Sequence, residues 1–156
     1  MVPVRVAILD IDGTLHPGSP GLQMLEALVA RSLGDREQAQ AVFEAIARYR
    51  AGVLAYPEMV RAATTAYASA VAGLRQTELL AVAAEVWAQE REKLFPFARP
   101  MVQRLLRTGF SPFVISSSPE EIVSLLADDF GKLACCASRF EAALSRSSGW
   151  LTQVGP

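Results

Sequence analysis

Two acids separated by one residue, Asp10 and Asp12, follow a short, mostly apolar run that includes Val4, Val6 and Ile8, and lead into Gly13 and Thr14. The run reads as a buried strand of a parallel sheet. Alternate positions on an extended chain point to the same side, so both carboxylates share one face, and Gly13 lets the backbone turn sharply as the strand ends. Open α/β sheets place their ligands at the carboxyl ends of strands. Two like charges held there are costly unless a cation lies between them. The same letters would also serve an ordinary Asp-Gly turn. A second stretch, Ser116-Ser117-Ser118-Pro119-Glu120-Glu121, follows the apolar Phe113-Val114-Ile115. It pairs a strand end with a helix start in which Ser118 suits the N-cap, Pro119 the first helical position and the glutamates the first turn. Hydroxyls and free N–H groups at such a junction could take a phosphate, or could simply cap a helix.

The elements that must position these residues follow from the spacing of apolar side chains. Residues 22–94 are rich in Ala, Leu, Val, Glu and Arg, with no sustained strand-like alternation. Helices are predicted at 22–33, 36–50, 57–72 and 77–94, with breaks at Gly34-Asp35, Gly52 and Gly73. A further helix is predicted at 100–108, a second buried strand at 113–115, a helix to about residue 127, and a third short strand at 133–137. The loop 16–21 is rich in turn formers, and His16, the only histidine, reads as a solvated loop residue. Asp128-Asp129 reads as solvated surface. Arg48 and Arg50, at a helix end, could reach an anionic substrate or stand in solvent. Cys135 and Cys136 are adjacent, which does not favour a bridge between them, and read as small buried apolar residues.

With 156 residues, half of them apolar, the chain can build one real core with an inserted subdomain. A net charge of −1 gives no reason to expect nucleic acid or an anionic membrane as partner. No apolar run reaches the length of a membrane span and no leader pattern precedes the first strand, so a cytoplasmic location is expected.

Asp10-Ile11-Asp12-Gly13-Thr14-Leu15 resembles the first motif of the haloacid dehalogenase (HAD) superfamily of phosphatases and phosphotransferases. Val114-Ile115-Ser116-Ser117-Ser118-Pro119-Glu120-Glu121 resembles the second motif in its phosphoserine-phosphatase-like branch. The resemblance implies an α/β fold, with a Rossmann-like parallel-sheet core over 1–16 and 95–156 and an all-helical cap inserted over 17–94. It implies Asp10 as a nucleophile that becomes an aspartyl phosphate and Asp12 as the acid and base. Mg²⁺ would be held by the Asp10 carboxylate and the Asp12 backbone carbonyl. Ser116, with N–H groups near Ser117, would hold the phosphoryl group beside Gly13 and Thr14, and a small phosphorylated metabolite would be the substrate. Tyr49-Arg50-Ala51-Gly52 and Tyr56-Pro57-Glu58 resemble the middle of that cap, and residues 140–152 its flap.

Two departures matter. Phosphoserine phosphatases carry an acid in the loop after the first motif, and the loop 16–21 has none, which argues against phosphoserine. The family's third-motif Lys and fourth-motif acids are expected beyond Pro156, and the only lysines are Lys93 and Lys132. The chain is therefore expected to have the first strand as an exposed edge. Self-association there, or a complementing C-terminal segment, would follow. An impaired HAD-like module that binds a phosphorylated ligand or a protein is the alternative function, and a phosphotransferase a third.

Overall fold

The computed structural model describes residues 4–143 and 146–153. Strand β1 (Arg5–Leu9) is followed by four helices: α1 (Pro20–Ala30), α2 (Arg36–Arg50), α3 (Tyr56–Ala70) and α4 (Gln76–Glu90). A 3₁₀ turn (Arg91–Lys93) then leads to α5 (Ala98–Arg107), β2 (Phe110–Pro119), α6 (Glu120–Asp129), β3 (Ala134–Ala143) and β4 (Arg146–Gln153). The helices start where their side chains can satisfy free N–H groups. Ser19 and Asp35 cap α1 and α2, the Asp35 carboxylate accepting from Gln38 N at 2.9 Å. Glu58 and Glu78 each reach back one turn to the N–H before their helix, at 2.8 Å. Pro20 and Pro57 sit where a missing N–H costs nothing.

The sheet runs β1-β2-β3-β4, the first three strands parallel and β4 antiparallel to β3. This is the α/β parallel-sheet fold that the sequence implies. In register, Ile8 faces Phe113 and Leu9 faces Val114. The helical block from α1 to α4 is inserted between β1 and the rest of the sheet. Within it, α1 and α4 pack together and against α6, while α2 and α3 pair with each other. That pair is pinched at its base, where Asp35 N donates to Ala70 O at 2.9 Å. One apolar cluster joins Leu9, Leu25, Leu28, Trp87, Val102, Val114 and Ile122, so sheet and helices share a core. Among the described residues no helix is long and apolar enough to cross a membrane.

Several local expectations change. Of the apolar run, Leu9 is buried, but Val6 and Ile8 are 55% and 67% exposed. Both crossovers in a parallel sheet take the same hand, which puts α5 and α6 on the same side; the alternate side chains of β1 face away from them, on an edge strand. Asp129 is not solvated surface. Its carboxylate receives Arg91 and Arg99, each at 2.6 Å, tying the exit of the helical block to α5 and α6. Cys135 and Cys136 are free and only half-buried, and burial pushes the Cys135 thiol up from its ordinary value. Helix α6 begins after Pro119, so Ser118 is not its cap.

This two-sided strand can be tested by adjacent substitutions. Ile8→Lys should change the unfolding free energy by less than about 1 kcal/mol, because its side chain is already in solvent. Leu9→Lys, one residue on, buries a charge in the core and should cost about 3 kcal/mol or more. Urea unfolding of the two variants measures the difference.

Candidate active site

The loop after β1 is built around one carbonyl. Ile11 O accepts the N–H groups of Thr14, Leu15 and His16 at 2.9–3.1 Å, and Gly13 N donates to His16 O at 2.8 Å. Gly13 adopts φ +76°, a conformation that a side chain would strain. The tight turn leaves Asp10 exposed at the end of the strand, where Thr14 Oγ1 donates to its Oδ2 at 3.2 Å.

Asp12 is in a different environment. Its Oδ2 accepts from Ser19 Oγ at 2.7 Å and from Ser118 Oγ at 3.3 Å. Its Oδ1 is buried and receives no hydrogen bond from any described residue. Burial is the main reason that the Asp12 carboxyl is held above its ordinary value, and the charge of Asp10 adds to it; Ser19, Ser118 and His16 act in the opposite sense. Ser19 serves twice, since its oxygen also accepts from Leu22 N at 3.4 Å as the cap of α1. The carboxylate is thus gripped between the start of the helical block and the end of β2.

Both acids line a cavity of about 340 Å³ whose opposite wall is made by α2 and α3. Ser117, Ser118 and Ser138 line it as well, and Ser138 Oγ donates to Ser117 O at 2.7 Å. Of the residues singled out in the sequence, Asp10, Asp12 and Ser117 therefore reach the cavity directly. Gly13 shapes the turn and Thr14 braces Asp10. Ser116 lies buried behind Ser117, its Oγ accepting the Ser118 N–H at 3.1 Å, which leaves its hydroxyl hydrogen available to another acceptor. Arg50 lines the cavity and Arg48 does not. Sequence reasoning missed Ser19, Ser118 and Ser138 as site residues. The Ser19-Pro20 pair is itself a helix-start signal that could have placed Ser19, whereas nothing local marks Ser138.

His16 is not a solvated loop residue. It is 1% exposed. Its Nδ1 accepts from Gly18 N at 3.0 Å, so Nε2 carries the hydrogen, which faces Glu90 Oε2 at 3.2 Å in a contact too bent for a full hydrogen bond. Lys93 Nζ completes the group, 2.7 Å from Glu90 Oε1. Lys93 is therefore engaged away from the cavity, and among the described lining residues Arg50 is the cation.

The donor chemistry at Asp10 and Asp12 suits a hard divalent cation. One or two carboxylates and a carbonyl are the protein share that Mg²⁺ commonly takes alongside waters and phosphate oxygens, and the exposed Asp10 carboxylate at the strand end is consistent with that. No group of three or more His, Cys, Asp or Glu that could cage a metal exists among the described residues.

The raised Asp12 carboxyl has a consequence for stability. Above about pH 3.9 the unfolded chain has released this proton while the folded chain still holds it. The metal-free protein should therefore lose stability as pH rises through the raised range, then level off. Asp12→Asn carries no such ionisation and keeps an acceptor for the two serines. With a chelator present, the unfolding free energy of the variant should gain on that of the wild type from about pH 4 upward. A pH-independent difference in urea titrations would contradict this.

Comparison with known proteins adds the family. A structure from Bordetella pertussis Tohama I, described as a protein with unknown function, is 23% identical with a TM-score of 0.72, over 96% of this chain and 67% of that one. A phosphoserine phosphohydrolase-like protein from Francisella tularensis subsp. tularensis SCHU S4 is 16% identical with a TM-score of 0.67, over 95% and 64% of the two chains. A phosphoserine phosphatase from T. onnurineus is 21% identical with a TM-score of 0.58, over 96% and 66%. These likenesses concern the fold, and the chain spans about two thirds of the length of each. Among curated proteins there is no match. The family match itself runs over residues 7–151, through both acids, the inserted helices and the serine-bearing strand end, and the chain belongs to the haloacid dehalogenase-like hydrolases.

Proposed function

We propose that the chain carries the active site of a Mg²⁺-dependent phosphatase that hydrolyses a small phosphomonoester through an aspartyl phosphate. The observation that carries this reading is the contrast between the two acids: Asp10 exposed toward the cavity, Asp12 half-buried, gripped by two serines and biased toward its protonated form. An exposed carboxylate can attack, and a carboxyl with a raised pKa can give up a proton. An oxygen of Asp10 forms the new bond to phosphorus as the bond to the leaving alcohol breaks. Asp12 delivers its proton to that alcohol oxygen. Asp12 then takes a proton from water as the water oxygen binds phosphorus and Asp10 is released. The Ser117 hydroxyl and the N–H groups at the start of α6 hold the phosphoryl oxygens, while Ser116 behind Ser117, Gly13 in the turn and Thr14 beside Asp10 keep that cradle in place. The Asp10 carboxylate and the Asp12 backbone carbonyl would hold Mg²⁺, which would supply charge neutralisation at the phosphoryl group.

In this reading residues 17–94 act as the cap that closes over the phosphate and 1–16 with 95–156 as the core. Transfer of the phosphoryl group to an alcohol rather than water uses the same first step. A phospholigand-binding module is the second reading, favoured by the lack of a lysine among the described cavity residues.

Asp10→Asn should lower turnover by about 10³-fold or more, because the covalent step is lost. Asp12→Asn should lower it by about 10²–10⁴-fold. Quenched reactions of the wild type should yield phosphate on Asp10, mapped by mass spectrometry. Asp10→Asn protein with near-normal phosphate release would remove the proposal, and phosphate mapped to Ser116 would replace its nucleophile.

A further inference from the structure

The wall of the cavity that faces the two acids differs from its floor. The floor is polar, with Asp10, Asp12 and four serines. The roof is made by Leu22 of α1, Val42 and Ile46 of α2, and Met59, Val60 and Ala63 of α3. Two polar groups of this wall are already committed. Thr64 Oγ1 donates to Val60 O at 2.8 Å, and the buried Tyr67 hydroxyl donates to Gly21 O at 3.2 Å. Burial also holds the Tyr67 phenol far above its ordinary value, so it stays uncharged. Tyr49 and Tyr56 stand edge to face, with ring centroids 5.7 Å apart, and also line the cavity, as does Arg50.

Among the described residues no carboxylate belongs to this roof. The acids of the described lining are Asp10 and Asp12, and both are engaged with the reacting group in the proposed reaction. The buried Glu121 lies outside the lining, its Oε1 accepting from Gln76 Nε2 at 2.9 Å. An ammonium group on the substrate would therefore be stripped of water against apolar side chains with no partner, at a cost that a small ligand does not recover. An apolar group would gain from the same wall. The volume agrees: a cavity of about 150 Å³ takes a benzene ring, and about 340 Å³ leaves room for a phosphoryl group beside such a ring.

We propose that the alcohol half of the substrate is an uncharged arylalkyl group of about one ring, selected by α2 and α3 and carrying no ammonium. This rests on the phosphatase reading and narrows its substrate. The test uses binding, so that it does not depend on turnover. Calorimetry of the full chain with Mg²⁺ would compare 3-phenylpropylphosphonate, 2-amino-3-phosphonopropionate and inorganic phosphate. The aryl phosphonate should bind about 10–100-fold more tightly than the aminophosphonate. Ile46→Glu and Met59→Glu, each placing a carboxylate in the roof, should erase that preference. Equal or tighter binding of the aminophosphonate would overturn the substrate class and leave the phosphatase reading standing. A preference that survives both variants would overturn the assignment to α2 and α3. If neither phosphonate nor inorganic phosphate binds, the phosphatase reading and this inference fall together.

Discussion

The arrangement depends on one oxygen. Asp12 Oδ2 accepts hydroxyls from Ser19 and Ser118, residues 99 positions apart that belong to the start of α1 and the end of β2. For both to reach it, α1 must begin against the serine loop. Gly21 makes that possible, since a Cβ there would lie 2.5 Å from Ser118 Oγ. The Gly21 carbonyl in turn receives the Tyr67 hydroxyl, so α3 is registered to the same point. The fixed oxygen also determines where the acid can carry its proton. With Oδ2 already accepting twice, the proton belongs on Oδ1, the oxygen with no donor among the described residues.

The helical block meets the core at a joint that is itself buried. Phe95 N, on the way out, donates to Leu15 O, on the way in, at 3.0 Å. Next to it His16 faces Glu90, and Lys93 balances the carboxylate. Burying such a group is expensive unless each member is partnered, so the contact favours one relative placement of entry and exit. Asp129, bridging Arg91 and Arg99, repeats the device on the outer side, where solvent weakens it.

The parts of this structure legible in the sequence are those written locally. Asp10 and Asp12 were visible from residue type and spacing, and the helices from apolar periodicity and their caps. What was hidden depends on partners distant in sequence. His16 looks like a loop residue until Glu90, 74 positions later, packs on it. Asp129 resembles surface until two arginines converge. Ser118 is a well-placed helix cap by every local rule, yet its hydroxyl goes to Asp12. Val6 and Ile8 show a further limit: an apolar run identifies a strand but does not say which of its two faces the later elements will cover.

The pinch between Asp35 and Ala70 has a meaning for how such a protein changes over generations. Residues 36–70 leave and re-enter the fold across a single backbone hydrogen bond, and closing a loop depends only weakly on its length. The α2–α3 pair is therefore a cassette. It can drift in sequence or lengthen, so long as Tyr67 still reaches the Gly21 carbonyl, while Asp10, Asp12 and their serines stay where they are. On the proposed reading, selectivity and reactivity fall on different pieces of one chain, so new substrates can be tried without dismantling the chemistry.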